Sequence, residues 1–166
     1  MNARAVLAAV LLLTTAIIMA AILLDLFSTG FRLGPFRFSH WTAWIGTIFI
    51  AVYAPLYHLL KRRYPQKLDL LMDIHTFGFL AAFLLISIHF ASQMGRPAQA
   101  FPDLGEGIAL YVTMLLLVAT GVVQRFWRPE KRSHRRYTPR INRSFHISLI
   151  TTFYIVIAVH AAVNVS

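Results

Sequence analysis

Five apolar stretches, roughly 5–24, 41–60, 68–92, 107–125 and 143–164, occupy most of this 166-residue chain. Each is close to the ~20 residues that a helix needs to cross a hydrocarbon core of about 30 Å. The stretches are apolar on every face and lack the two-residue alternation of a barrel strand, so they read as helices. With 58% hydrophobic and 13% charged residues and a mean hydropathy of +0.64, the chain is too apolar for an ordinary soluble domain. The expected fold class is all-α: an integral membrane bundle of five transmembrane helices, one domain over 1–166, with no room for a soluble domain. The first stretch, AVLAAVLLLTTAIIMAAILL, is longer than the apolar core of a secretory signal. No small-x-small cleavage site follows it, and it reads as a retained helix.

Charge orients the expected bundle. Of sixteen Lys and Arg, twelve lie in two loops: Lys61, Arg62, Arg63 and Lys67, then Arg125 through Arg143. The other linkers are poorer in positive charge, with Arg32 and Arg37 in one and Arg96 beside Asp103 and Glu106 in the other. By the positive-inside rule the chain is a multi-pass protein of the cytoplasmic membrane, its N-terminus cytoplasmic and its C-terminus extracytoplasmic. Anchoring to anionic lipid accounts for the basic loop WRPEKRSHRRYTPR, which is short and pinned to the membrane at both ends; nucleic acid is not an expected partner. The absence of cysteine excludes disulfides, thiolate metal sites, Fe–S clusters and the C-x-x-C-H attachment of a c-type haem. No G-x-G-x-x-G fingerprint or P-loop is present, so a nucleotide cofactor has no support.

Histidine spacing carries the chemistry. His75 and His89 lie 14 residues apart in the third stretch, and His146 and His160 lie 14 apart in the fifth. Fourteen steps of about 100° return to within roughly 40° of the starting direction, about 21 Å further along the axis, so each pair shares one helix face. Helices 3 and 5 run in the same direction, because helix 4 crosses back between them. The matched depths pair His75 with His146 at the cytoplasmic side and His89 with His160 at the outer side. Two stacked sites of two neutral imidazoles are what two non-covalent, six-coordinate b haems require, held between helices 3 and 5. Histidines inside a membrane demand a reason, and the competing one is a haem-free anchor or a metal or proton transporter.

Other residues fit around this core. Gly78, Ala81, Ala82 and Ser87 are small enough to admit a macrocycle, or equally to allow close helix contact. Ser87, Ser144 and Thr151 are candidate acceptors for the second imidazole N–H. Arg143 and Arg96 are candidate cofactor-binding residues for the haem propionates, with Lys67 and Arg140 on the inner side and Ser92, Gln93 and Asn164 on the outer. Proton exchange with a quinone would call on Asp69 and Asp73 within, or Asp25, His40, Asp103 and Glu106 without. His134 reads as solvated in the basic loop, and His40 and His58 as interfacial residues flanking helix 2.

The segments HTFGFLAAFLLISIH and HISLITTFYIVIAVH resemble the paired-histidine helices of di-haem b-type cytochromes, both the quinol-oxidising cytochrome b type and the ferric-reductase-like transmembrane domain. The equal intervals are closer to cytochrome b, and the position on the third and fifth helices is closer to the ferric-reductase-like group. The likeness covers about 100 residues, 68–164. It implies two b haems and transmembrane electron transfer, with the chain as the membrane subunit of a respiratory-type oxidoreductase. Its partners would be the quinone pool and one or more redox subunits. NADPH-using members of the ferric-reductase-like group carry a flavin domain after the last helix, and none follows here before Ser166, so electrons are expected from another source. The alternative within enzyme chemistry is a self-contained ferric-reductase-like membrane reductase acting on iron, oxygen or superoxide.

Overall fold

The computed structural model describes residues 3–96, 105–126 and 139–165, the last with side chains for 140–163. Asp103, His134, positions 128–136 of the basic loop and the Asn164 side chain lie outside the described residues. Five long helices run through the rest: α1 (Ala3–Leu23), α2 (Phe38–Arg63), α3 (Leu68–Met94), α4 (Gly105–Phe126) and α5 (Pro139–Val165). Each is long and apolar enough to cross a membrane, as the sequence predicts. Their ends reach up to four residues beyond the apolar stretches, since hydrophobicity sets the span while backbone hydrogen bonding continues into flanking polar residues. α5 starts at Pro139, where a residue with no N–H and a pre-set φ suits the first helical position. Large apolar side chains stay exposed on the helices, Leu13 at 62% and Ile17 at 58% among them, the inverse of a water-soluble core.

The chain divides into two compact units, Met1–Phe101 and Pro102–Ser166. In the first, α1 and α2 both pack along α3. A single 3-10 turn, Pro65–Lys67, reverses the chain between α2 and α3. Lys61, Arg62 and Arg63 close α2 and Asp69 opens α3, each charge on the favourable end of its helix dipole. Arg4 of α1 donates to the Asp73 carboxylate of α3 at 2.7 Å.

Small residues let α2 and α3 approach closely. A Cβ on Gly46 would stand 2.9 Å from the Ala82 carbonyl oxygen and 2.9 Å from Ile86 Cγ1. Gly78 is covered by the Phe49 ring, so the gap it leaves is filled by helix packing. Phe49 stacks on Tyr53 at 5.4 Å between centroids, and the Tyr53 hydroxyl donates to the Leu71 carbonyl at 2.9 Å. That bond satisfies a buried polar group which lipid could not.

Between α1 and α2 the sequence forms an antiparallel ribbon, β1 (Arg32–Leu33) and β2 (Phe36–Arg37), with Leu33 paired to Phe36. Gly34, at φ +65°, supplies the positive φ that a two-residue hairpin turn demands. The Trp41 indole N–H donates to the Leu33 carbonyl at 2.8 Å, and Phe31 stacks on Phe38 at 5.0 Å, tying the ribbon to the start of α2. Hydropathy treats this segment as a plain linker.

The second unit is the α4–α5 pair. Gly107 lies against His160 and Gly121 against His146, so the two helices are antiparallel. Asn142, only 2% exposed, donates to the Thr120 carbonyl at 3.0 Å and to the Gln124 side-chain oxygen at 2.9 Å, closing the end of the pair nearest His146.

Candidate functional site

In the first unit both histidines of α3 turn toward α2. His75 stacks on Tyr57 with centroids 4.7 Å apart and lies 4.5 Å from Phe79, so its ring is held by aromatic surfaces. The Tyr57 hydroxyl reaches Met72 Sδ at 3.4 Å, and the Lys61 ammonium sits 5.2 Å above the Tyr57 ring. Fourteen residues on, His89 places Nδ1 3.1 Å from the Ser39 backbone carbonyl. A carbonyl oxygen can only accept, so Nδ1 carries the proton and the lone pair falls on Nε2.

The histidines of α5 turn toward α4. His146 Nδ1 lies 2.7 Å from Thr120 Oγ1. That hydroxyl is also 2.8 Å from the Leu116 carbonyl and 3.0 Å from that of Leu117. Its single proton is directed at backbone, which leaves the Thr120 oxygen to accept from His146 Nδ1–H. The tautomer is therefore the same as at His89, with Nε2 as the lone-pair nitrogen. His146 Cε1 is 3.6 Å and His160 Cε1 3.9 Å from where a Cβ would sit on Gly121 and Gly107. The glycines of α4 thus repeat the 14-residue interval of the histidines they face, a match visible in the sequence that histidine spacing alone does not reveal.

The Nδ1 partners of His89 and His146 are the Ser39 carbonyl and Thr120. Ser87, Ser144 and Thr151 were the sequence candidates. Ser87 is fully buried, whereas Ser144 is exposed and the exposed Thr151 turns back to the Ile147 carbonyl at 3.5 Å. Neither actual acceptor was legible, because one is backbone and both stand on helices that carry none of the four histidines. Among the small residues, Gly78 and Ala82 serve the α2 contact and Ala81 is exposed.

The remaining candidates separate by position. Arg143, Arg140, Lys67, Asp69, Asp25 and His58 are exposed, as interfacial residues are. Arg96, Gln93, Ser92 and Glu106 are half-buried. Asp73 is ion-paired with Arg4 at 2.7 Å. The His40 ring centroid lies 5.2 Å from that of His89.

His75 and His89 belong to one compact unit and His146 and His160 to the other. Among the described residues no group of three or more His, Cys, Asp or Glu gathers as a metal cage requires, whereas axial ligation of a haem takes two imidazoles. Comparison with known proteins adds nothing to this geometry: no family model, no curated protein and no solved structure matches the chain.

Proposed function

We propose that the chain is a transmembrane electron conduit that binds two b haems, one between His75 and His146 and the other between His89 and His160. The observation that carries the reading is the equal interval of 14 residues on both histidine helices, which lets two sites form at matched depths without register strain. The hydrogen bonds to Nδ1 of His89 and His146 support it, since they put the ligating lone pair on Nε2 and fix the ring orientation. Haem, when bound, supplies reversible one-electron chemistry. The chain's own residues hold, orient and insulate: Thr120 and the Ser39 carbonyl set the tautomer, Tyr57 and Phe79 clamp the His75 ring, and the imidazoles of His146 and His160 lie against Gly121 and Gly107 of α4. The lipid bilayer is the expected surround. Donor and acceptor are proposed to be the quinone pool and a partner redox subunit, across the cytoplasmic membrane with the N-terminus inside.

A pyridine haemochrome assay on the purified chain tests this directly. About two b haems per polypeptide are expected, and haem-free, fully folded protein would discard the reading. Thr120 offers a finer probe. Thr120→Val removes the acceptor for His146 Nδ1–H at nearly constant volume, and affinity at that site should fall by about 10- to 100-fold. Haem titration should show one weakened and one unchanged site, with Thr120→Ser restoring the loss.

A further inference from the structure

We infer that the start of α2 and the end of α3 together form an oxyanion-binding site, suited to a phosphate group, with Arg37, Ser39, His40, Gln93 and Arg96 as its residues. The inference is independent of the haem reading.

Unmatched donors converge there. Ser39 is fully buried, and its hydroxyl has no hydrogen-bond partner among the described residues. The same holds for the buried His40 Nδ1 and Gln93 Nε2. A buried polar group left unpaired costs about 1–3 kcal/mol, and three at one end of a helix pair are a strong departure from the usual satisfaction of such groups. The three are neighbours: Ser39 and His40 are consecutive, both touch His89, and Gln93 is one helical turn beyond His89 on α3.

All of these groups can donate, and the backbone adds more donors. Arg37 is the N-cap of α2 and makes no side-chain cap bond, so the first-turn N–H groups of a 26-residue helix meet no capping side chain there. Such a terminus favours negative charge. Two guanidiniums reinforce it. Arg37 and Arg96 both act on His40, and the sole ion pair among the described residues is Arg4 with Asp73, elsewhere in the unit. Burial, then the charge of Arg37, pulls the Arg96 guanidinium below its ordinary value. Two neighbouring cations with no carboxylate partner among the described residues, beside buried neutral donors, match a tetrahedral oxyanion. A neutral carbonyl would leave both charges uncompensated. The site falls at the end of helices long and apolar enough to cross a membrane, where the phosphodiester of an anionic lipid is at hand; free phosphate has the same chemistry.

The test uses the full chain in detergent, with haem content read separately so that loss of haem and loss of this site are distinguished. Binding of inorganic phosphate and of dioleoyl-phosphatidylglycerol is followed by 31P NMR and native mass spectrometry. One saturable equivalent per chain is expected. Arg37→Gln and Arg96→Gln should each weaken it at least tenfold. Ser39→Ala should weaken it several-fold, a loss that diffuse surface charge would not produce. Arg62→Gln, at the other end of α2, should leave it unchanged, and circular dichroism controls for folding. Binding of phosphatidylglycerol but not free phosphate identifies lipid as the source, and the reverse identifies a soluble anion. Three results overturn the inference: no saturable binding, equal binding in the Ser39 and arginine variants, or phosphate binding abolished by haem loading, which would give the site to the cofactor's carboxylates.

Discussion

His75→Ala and His146→Ala are each expected to lower the haem content from about two per chain to about one, and to remove the same haem. His89→Ala and His160→Ala should each remove the other. The large effect follows from what a bis-imidazole site is. With one axial ligand gone, the opposite nitrogen alone cannot hold a non-covalent six-coordinate haem, and the chain has no cysteine to tether it. The pairing follows from the equal intervals, because any crossed arrangement would require ligands at unequal depths. Low-temperature difference spectra and redox titration of the four variants would resolve the two proposed haems. The decisive comparison is the double variant His75→Ala/His146→Ala, which should keep the haem that each single variant keeps. If it retains none while both singles retain one, the pairs are crossed and the topology is overturned.

His89 and His146 have their Nδ1 protons fixed by the Ser39 carbonyl and Thr120, and the His75 ring is stacked on Tyr57 and Phe79. In the proposed sites the Nδ1 hydrogen bonds of His89 and His146 would raise the basicity of the ligating Nε2.

Helix number and helix length were legible because hydropathy depends on one segment at a time. What escaped the sequence depends on two. The acceptor for His146 is Thr120, 26 residues earlier on the antiparallel helix, and that for His89 is a backbone atom 50 residues away. No spacing rule reaches either without the register of the helix pairs. The same blindness hid the role of Gly78, whose neighbour Phe49 comes from α2, and the contact of His40 with His89. The hairpin at Arg32–Arg37 is a milder case. Gly34-Pro35 is a turn signal, but the flanking strands are two residues each, too short for any periodicity to register.

Gly46→Leu is expected to separate α2 from α3 and to be the most destabilising single change in the first unit. Even the first added carbon would stand 2.9 Å from the Ala82 carbonyl oxygen, a backbone atom in the middle of α3 that cannot swing aside as a side-chain end would. Gly46→Ala should therefore already cost about 1–3 kcal/mol, and leucine more, because no rotamer avoids both Ala82 and Ile86. The strain would not stay local. α2 carries the Ser39 carbonyl that orients His89 and the Tyr57 ring that stacks on His75, so displacing α2 disturbs both α3 imidazoles while leaving the α4–α5 contacts of His146 and His160 intact. Thermal unfolding in detergent, followed by circular dichroism, should show the order wild type, Gly46→Ala, Gly46→Leu. Gly107→Ala provides the contrast: its Cβ would meet His160 at 3.9 Å, an ordinary van der Waals distance, and stability should hold. Equal melting of Gly46→Leu and wild type would mean that α2 and α3 do not meet at Gly46.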